Sequence, residues 1–150
     1  MFKMYDKAVE LATEHGFAVL PVRPGGKIPL IRDWVNRATG DLETIRQWFE
    51  VWPDANLGVA TGSKSGVFVL DCDVDTGGLE SLDNRGIDYS KTLVVRTGSG
   101  GLHIYYRYDP DRSIRNSASK IAPGLDIRGE GGFVVAPPSI HPNGNLYQWI

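Results

Sequence analysis

Hydrophobic positions recur at helical spacing at the start of the chain and alternate with polar ones through most of its second half. In MFKMYDKAVELATEHG, the residues Tyr5, Ala8, Val9, Leu11 and Ala12 share one face. That spacing predicts a helix over residues 3–15, ended by Gly16. FAVLPV (17–22) reads as a strand closed by the turn RPGGK. A second helix is expected from Asp41, a good N-cap, burying Leu42, Ile45, Trp48 and Phe49 and ended by Pro53. Strands then dominate: LGVAT (57–61), GVFVLDCDV (66–74), TLVVRT (92–97), LHIYYRY (102–108), LDIRG (125–129) and GFVVAPP (132–138). A short helix is expected over 79–84, and GSGG (98–101) between two strands reads as a hairpin turn. The pattern predicts a mixed α/β or α+β domain with a largely antiparallel sheet.

Length and composition narrow this picture. The chain has 150 residues, enough for one domain with a core, and 41% hydrophobic against 23% charged residues is ordinary for a globular protein. No apolar run approaches a membrane span, and the N-terminus lacks the apolar centre of a signal peptide. The one cysteine, Cys72, permits no internal disulfide, which fits a reducing cytoplasm. No heptad or long edge strand argues for assembly, so a monomer is expected. The chain stops at Ile150, directly after the strand-like NLYQWI, so we expect a piece of a longer protein. A net charge of −2 does not announce a nucleic-acid binder. A groove can still be locally basic, and Arg107, Arg112, Arg115, Lys120 and Arg128 fall close together in sequence, against Asp109, Asp111 and Asp126.

Candidate chemistry begins at VFVLDCDVDTGG (67–78), where Asp71, Asp73 and Asp75 stand two apart. A calcium loop of the EF-hand type is excluded. Its sixth position would be Thr76 instead of Gly, and its twelfth Leu82 instead of Glu. Strand alternation puts Phe68, Leu70 and Cys72 on one face, read as core, and Val67, Val69, Asp71 and Asp73 on the other. The two carboxylates then lie roughly 6.5–7 Å apart along the strand, close enough to lean onto shared hard cations. The plainer reading is a strand end whose aspartates are solvated or cap the following helix, and it suits Asp75.

Two further segments add to this. In RTGSGGLHIYYRY (96–108), His103 shares a face with Tyr105 and Arg107. No Gly-Lys-Ser/Thr follows GSGG, so it is not a P-loop, although its turn amides can bind anions. A lone strand histidine is usually structural. In GLDIRGEGGFVVAPPS (124–139), Asp126 and Arg128 share a strand face, and glycines 129, 131 and 132 suggest a tight turn or a close approach. An aspartate between Leu125 and Ile127 is costly unless paired or metal-bound; an ion pair with Arg128 or Arg96 is the simpler explanation. Taken together, a carboxylate pair, a histidine and a third carboxylate on separate strands suit metal-dependent chemistry on nucleoside triphosphates.

The order DCD, RTGSGGLHIYY, PGLDIRGEGGFVVAPPS resembles the bifunctional primase–polymerase domain of the archaeo-eukaryotic primase superfamily. The likeness runs from about Asn56 to Trp149 and extends loosely to VRPGGKIPLIRDW (22–34). The resemblance implies an N-terminal α/β module packed on an RRM-like sheet module, with the site between them. It implies that Asp71, Asp73 and Asp126 hold two Mg²⁺ or Mn²⁺ ions and that His103 contacts the phosphates of the incoming nucleotide. It further implies phosphate or primer contacts for Lys27, Arg96 and Arg128, and a nucleotide pocket shaped by Ser99, Gly100 and neighbouring glycines. The implied activity is DNA primase and polymerase, adding dNTPs or NTPs to a 3′-hydroxyl on a single-stranded template. Relatives of this kind continue into a helical domain and a helicase, as replication proteins of phages, plasmids and mobile elements, which points to a bacterial, archaeal or phage-infected cell. No Cys or His cluster suggests the zinc stem of some relatives. Two rivals use the same residues. One is a metal-dependent nuclease or phosphohydrolase. The other is a non-catalytic nucleotide- or single-strand-binding module in which Tyr105 stacks bases.

Overall fold

The first helix, α1 (Met4–His15), forms where the apolar spacing predicts it and ends at Gly16, whose φ of 68° is the left-handed conformation of a C-cap. It buries Ala8 and Leu11. In this computed structural model, which describes residues 3–150, two sheets and the helices packed on them form the rest of the core. Strand β1 (Val19–Val22) leads into a turn and a four-residue helix, α2 (Trp34–Arg37). Helix α3 (Leu42–Val51) starts at Asp41, whose carboxylate accepts the Thr44 N–H at 3.0 Å and the Thr44 hydroxyl at 2.7 Å. It buries Ile45, Trp48 and Phe49, but Leu42 is exposed, because burial in this helix begins one turn later, at Ile45. Strand β2 (Asn56–Ala60) follows.

The remaining elements are β3 (Val67–Cys72), α4 (Gly78–Asn84), β4 (Val94–Arg96), β5 (Leu102–Arg107), β6 (Ser117–Ala122), β7 (Leu125–Arg128), β8 (Phe133–Ala136) and β9 (Gln148–Trp149). The smaller sheet has the order β1-β2-β8 and the larger β6-β7-β3-β5-β4-β9. All the strand pairings are antiparallel. Within the larger sheet, β3-α4-β4-β5-β7 assemble in the order β7-β3-β5-β4, an RRM-like arrangement extended at its edges by β6 and β9. The protein is α+β, as expected. No helix among the described residues is long and apolar enough to cross a membrane.

The larger sheet is covered on both faces. Val69, Val95 and Tyr105 join α1, α3 and the smaller sheet in one apolar cluster. Leu70, Cys72, Leu102 and Ile104 join Leu82 of α4 in a second. The expectation of a single core face on β3 is thus corrected: Val69 is as buried as Leu70, since the N-terminal module covers the face opposite α4. Tyr105 is corrected with it. It is 1% exposed and cannot stack bases. Its hydroxyl has no hydrogen-bond partner. Burying a tyrosine ring removes about 150–250 Å² from water, worth roughly 4–6 kcal/mol at about 25 cal/mol/Å². That exceeds the ~1–3 kcal/mol cost of a lone buried hydroxyl.

Turn hydrogen bonds close the β4–β5 hairpin, and a close approach seats it against β3. Thr97 and Gly101 close the turn through Thr97 N–H to the Gly101 carbonyl (2.9 Å) and Gly101 N–H to the Thr97 hydroxyl (3.0 Å). A Cβ on Gly101 would stand 2.3 Å from the Cys72 carbonyl oxygen. We expect Gly101→Ala to lower stability by about 1–3 kcal/mol. The check is a fall in denaturant midpoint at unchanged slope.

Candidate active site

Antiparallel register sets Val95, His103, Asp71 and Asp126 side by side across β4, β5, β3 and β7. Directly paired residues share a face, so Asp71 lies between a histidine and a second carboxylate. His103 Nε2 is 3.5 Å from Asp71 Oδ1. Arg128 reaches both carboxylates from the same face, with Nη2 3.7 Å from Asp71 Oδ2 and 3.8 Å from Asp126 Oδ2. The other Asp126 oxygen accepts the Ser119 N–H at 2.9 Å.

This row forms part of a cavity of about 360 Å³ between the two sheets. Lys27, from the turn after β1, and Trp34 of α2 line it from the N-terminal module, and β8 contributes Phe133. Burial alone would raise the Asp71 carboxyl. The hydrogen bond and charge of His103, then the charges of Arg128 and Lys27, outweigh it and hold the carboxyl below its ordinary value. Burial and the Asp71 charge push the Tyr147 hydroxyl up to about 12, so this cavity-lining phenol stays protonated at neutral pH. Burial, with Asp71 and Asp73 nearby, raises the Cys72 thiol to about 11, which leaves it unreactive.

The residues singled out in the sequence separate into two groups. Lys27, Asp71, His103 and Arg128 line the cavity, and Asp126 adjoins it through Arg128. Asp73 lies one step past the end of β3, where its carboxylate accepts the Asp75 N–H at 2.9 Å. Arg96 pairs with Leu102, on the face of the sheet opposite the Asp71 row. Ser99 and Gly100 sit exposed at the hairpin tip, outside the cavity lining. The turn is used for packing: the Gly98 carbonyl accepts the Asn143 and Asn145 side-chain amides at 2.9 and 3.0 Å. Sequence reasoning missed Asn116 and Tyr147. Asn116 lies in a polar stretch without periodicity, and its Oδ1 accepts the Gly129 N–H at 2.8 Å. Tyr147 carried no signal beyond a strand-like ending.

Among the described residues, no three His, Cys, Asp or Glu side chains form a ready-made metal-ligand set. What the structure does contain is an oxygen-rich pair, Asp71 and Asp126, with a guanidinium facing both carboxylates. Such donors suit a hard divalent cation.

The family model described as "Bifunctional DNA primase/polymerase, N-terminal" matches residues 8–150. No curated protein matches the chain.

Because the folded Asp71 carboxyl is held below its ordinary value, it stabilises the fold at pH values above roughly 4. That contribution is lost as pH falls through the folded value. Asp71→Asn removes the titrating group. Its stability, measured by chemical denaturation, should therefore fall less steeply than the wild type's between about pH 5 and pH 3.

Proposed function

The chain belongs to the bifunctional DNA primase/polymerase family, and from that premise we propose that it adds nucleotides to a 3′-hydroxyl on a single-stranded DNA template, releasing pyrophosphate. The observation that carries this reading is the row His103–Asp71–Asp126 opening on a cavity that also holds Lys27 and Arg128. A nucleoside triphosphate brings several negative charges, and this cavity offers it fixed cations beside a carboxylate pair.

The division of labour follows from position. Lys27 and Arg128 bind phosphate oxygens, Arg128 as a planar fork and Lys27 as a point charge. His103, held on Asp71, directs its imidazole at the phosphates. Asp71 and Asp126, joined by Asp73 from the strand end, would hold Mg²⁺ or Mn²⁺. A pair of such ions would supply a lowered pKa for the attacking hydroxyl and neutralising charge for the departing pyrophosphate. Arg128, which faces both carboxylates in the protein alone, would then turn to the nucleotide. The β8 wall and Tyr147 keep the reacting end of the cavity partly dry, which strengthens each of these charge interactions. The 150 residues would act as a single catalytic domain.

The test is primer extension on a templated oligonucleotide, comparing Mg²⁺ with Mn²⁺ and dNTPs with NTPs. We expect metal-dependent, template-matched extension that Asp71→Ala and Asp73→Ala each reduce by at least about 100-fold, by analogy with loss of other electrostatic catalytic groups. We also expect this chain to extend primers more readily than it starts them, because starting requires two nucleotides held at once. Efficient dinucleotide synthesis on bare template would contradict the second expectation. Release of mononucleotides from the primer, with no extension, would make the protein a nuclease.

A further inference from the structure

Helix α2 has four residues, and none of them is buried. Polar clips hold it in place. Lys64 Nζ donates to the Asn36 carbonyl at 2.5 Å and to the Ala38 carbonyl at 2.9 Å. Asn36 Nδ2 donates to Asp33 Oδ1 at 2.8 Å. Asp33 itself takes a left-handed conformation, φ 54°, which costs an L-residue energy and persists only where the surroundings impose it. The product of these clips is the placement of one large side chain, Trp34. It meets Phe133 edge-to-face, with ring centroids 4.9 Å apart at 68°.

Trp34 lines the candidate active-site cavity and also a neighbouring cavity of about 150 Å³. Gly131 and Gly132 line both as well. The indole and a stretch of backbone without side chains therefore form a boundary shared by the two cavities. Gly131 has φ 78°, and nothing lies within 4 Å of where its Cβ would stand, so the space beside it is open. Gly132 has no such room: a Cβ there would stand 2.4 Å from Asn116 Oδ1 and 2.9 Å from the Thr61 hydroxyl. An aromatic wall and a bare backbone fit a flat, uncharged ring. The cationic groups of the cavity suit phosphates, and the nucleobase is the part of a nucleotide they leave without a partner.

We propose that Trp34 is the nucleobase-stacking wall of this site, set against the Gly131–Gly132 backbone. The inference rests on the nucleotide reading above and adds a specificity-determining residue to it. Stacking is available to every base, so Trp34 selects base-bearing triphosphates over bare polyphosphate and does not choose among the four bases.

The experiment measures binding of each dNTP and of inorganic tripolyphosphate, with Mg²⁺, by calorimetry to the wild type and to Trp34→Ala, Trp34→Leu and Trp34→Phe. Thermal unfolding of each variant is followed in parallel. We expect Trp34→Ala and Trp34→Leu to weaken all four dNTPs about 10- to 100-fold, the range that loss of base–aromatic stacking produces. Tripolyphosphate affinity should stay unchanged, and Trp34→Phe should keep most of the dNTP affinity. If Trp34→Ala fails to fold, the Leu and Phe variants carry the comparison. Equal dNTP affinity in the Leu and Phe variants, or equal loss for dNTPs and tripolyphosphate, would overturn the proposal and leave Trp34 a packing residue. If wild type binds tripolyphosphate but gains nothing from a base, the stacking wall fails while the phosphate site stands. If it binds neither, the nucleotide reading fails and takes the stacking wall with it.

Discussion

A carboxylate at the rim of a covered sheet is costly unless hydrogen bonds and neighbouring cations offset its burial. Asp71 is that carboxylate, and much of the site follows from it. His103 comes from the strand on one side, Arg128 from the strand on the other, and Lys27 from the separate N-terminal module. Three elements far apart in sequence together hold the Asp71 carboxyl below its ordinary value. The groups that balance Asp71 in the protein alone are the groups a polyphosphate would draw toward itself. Under the proposed function, those groups would meet a nucleotide that arrives with its own cations.

That arrangement depends on register, and hydrophobicity alone does not choose it. A one-residue slip of β3 would exchange Val69 for Leu70 in the larger core, an affordable change, but it would also carry Asp71 to the other face. The discrimination comes from elsewhere. Gly101 approaches the Cys72 carbonyl too closely for a side chain to stand there without a shift. At the other edge, β7 pairs Leu125 with Cys72 and so sets Asp126 opposite Asp71. Small residues and turn chemistry hold a polar row in place that the apolar pattern would leave free to move.

The sequence made the elements legible because most of them follow one clear period. Residues 4–15 and 42–51 show helical spacing with caps at Gly16 and Asp41, and β3, β5, β7 and β8 show apolar runs bounded by glycine. Strand β6 was invisible because SASKIA is largely exposed, bends at Ser119 with φ 52° and pairs irregularly with β7. Helix α2 was invisible because it is only four residues long and none of them is fully buried. In the site, strand alternation brought Asp71, His103, Asp126 and Arg128 to one face. It could not show that Asp73 lies past the strand end, where the pleat no longer governs direction. Nor could it show that Tyr105 is sealed under the N-terminal module, because no periodic pattern says which of two apolar faces a second layer will cover.

The N-terminal module explains why the cavity lies where it does. The larger sheet alone would present the Asp71 row to solvent, where water screens charge interactions and weakens them severalfold. Docking of β1, β2 and β8 over Val69, Val95 and Tyr105 covers the sheet up to that row. Beyond it, the covering layer becomes a turn bearing Lys27 and a clipped helix bearing Trp34, which line the space without filling it. The apolar contact that stabilises the two modules thus ends where the candidate site begins. A single docking event creates both the core and a cavity with charge at one part of its wall and aromatic surface at another.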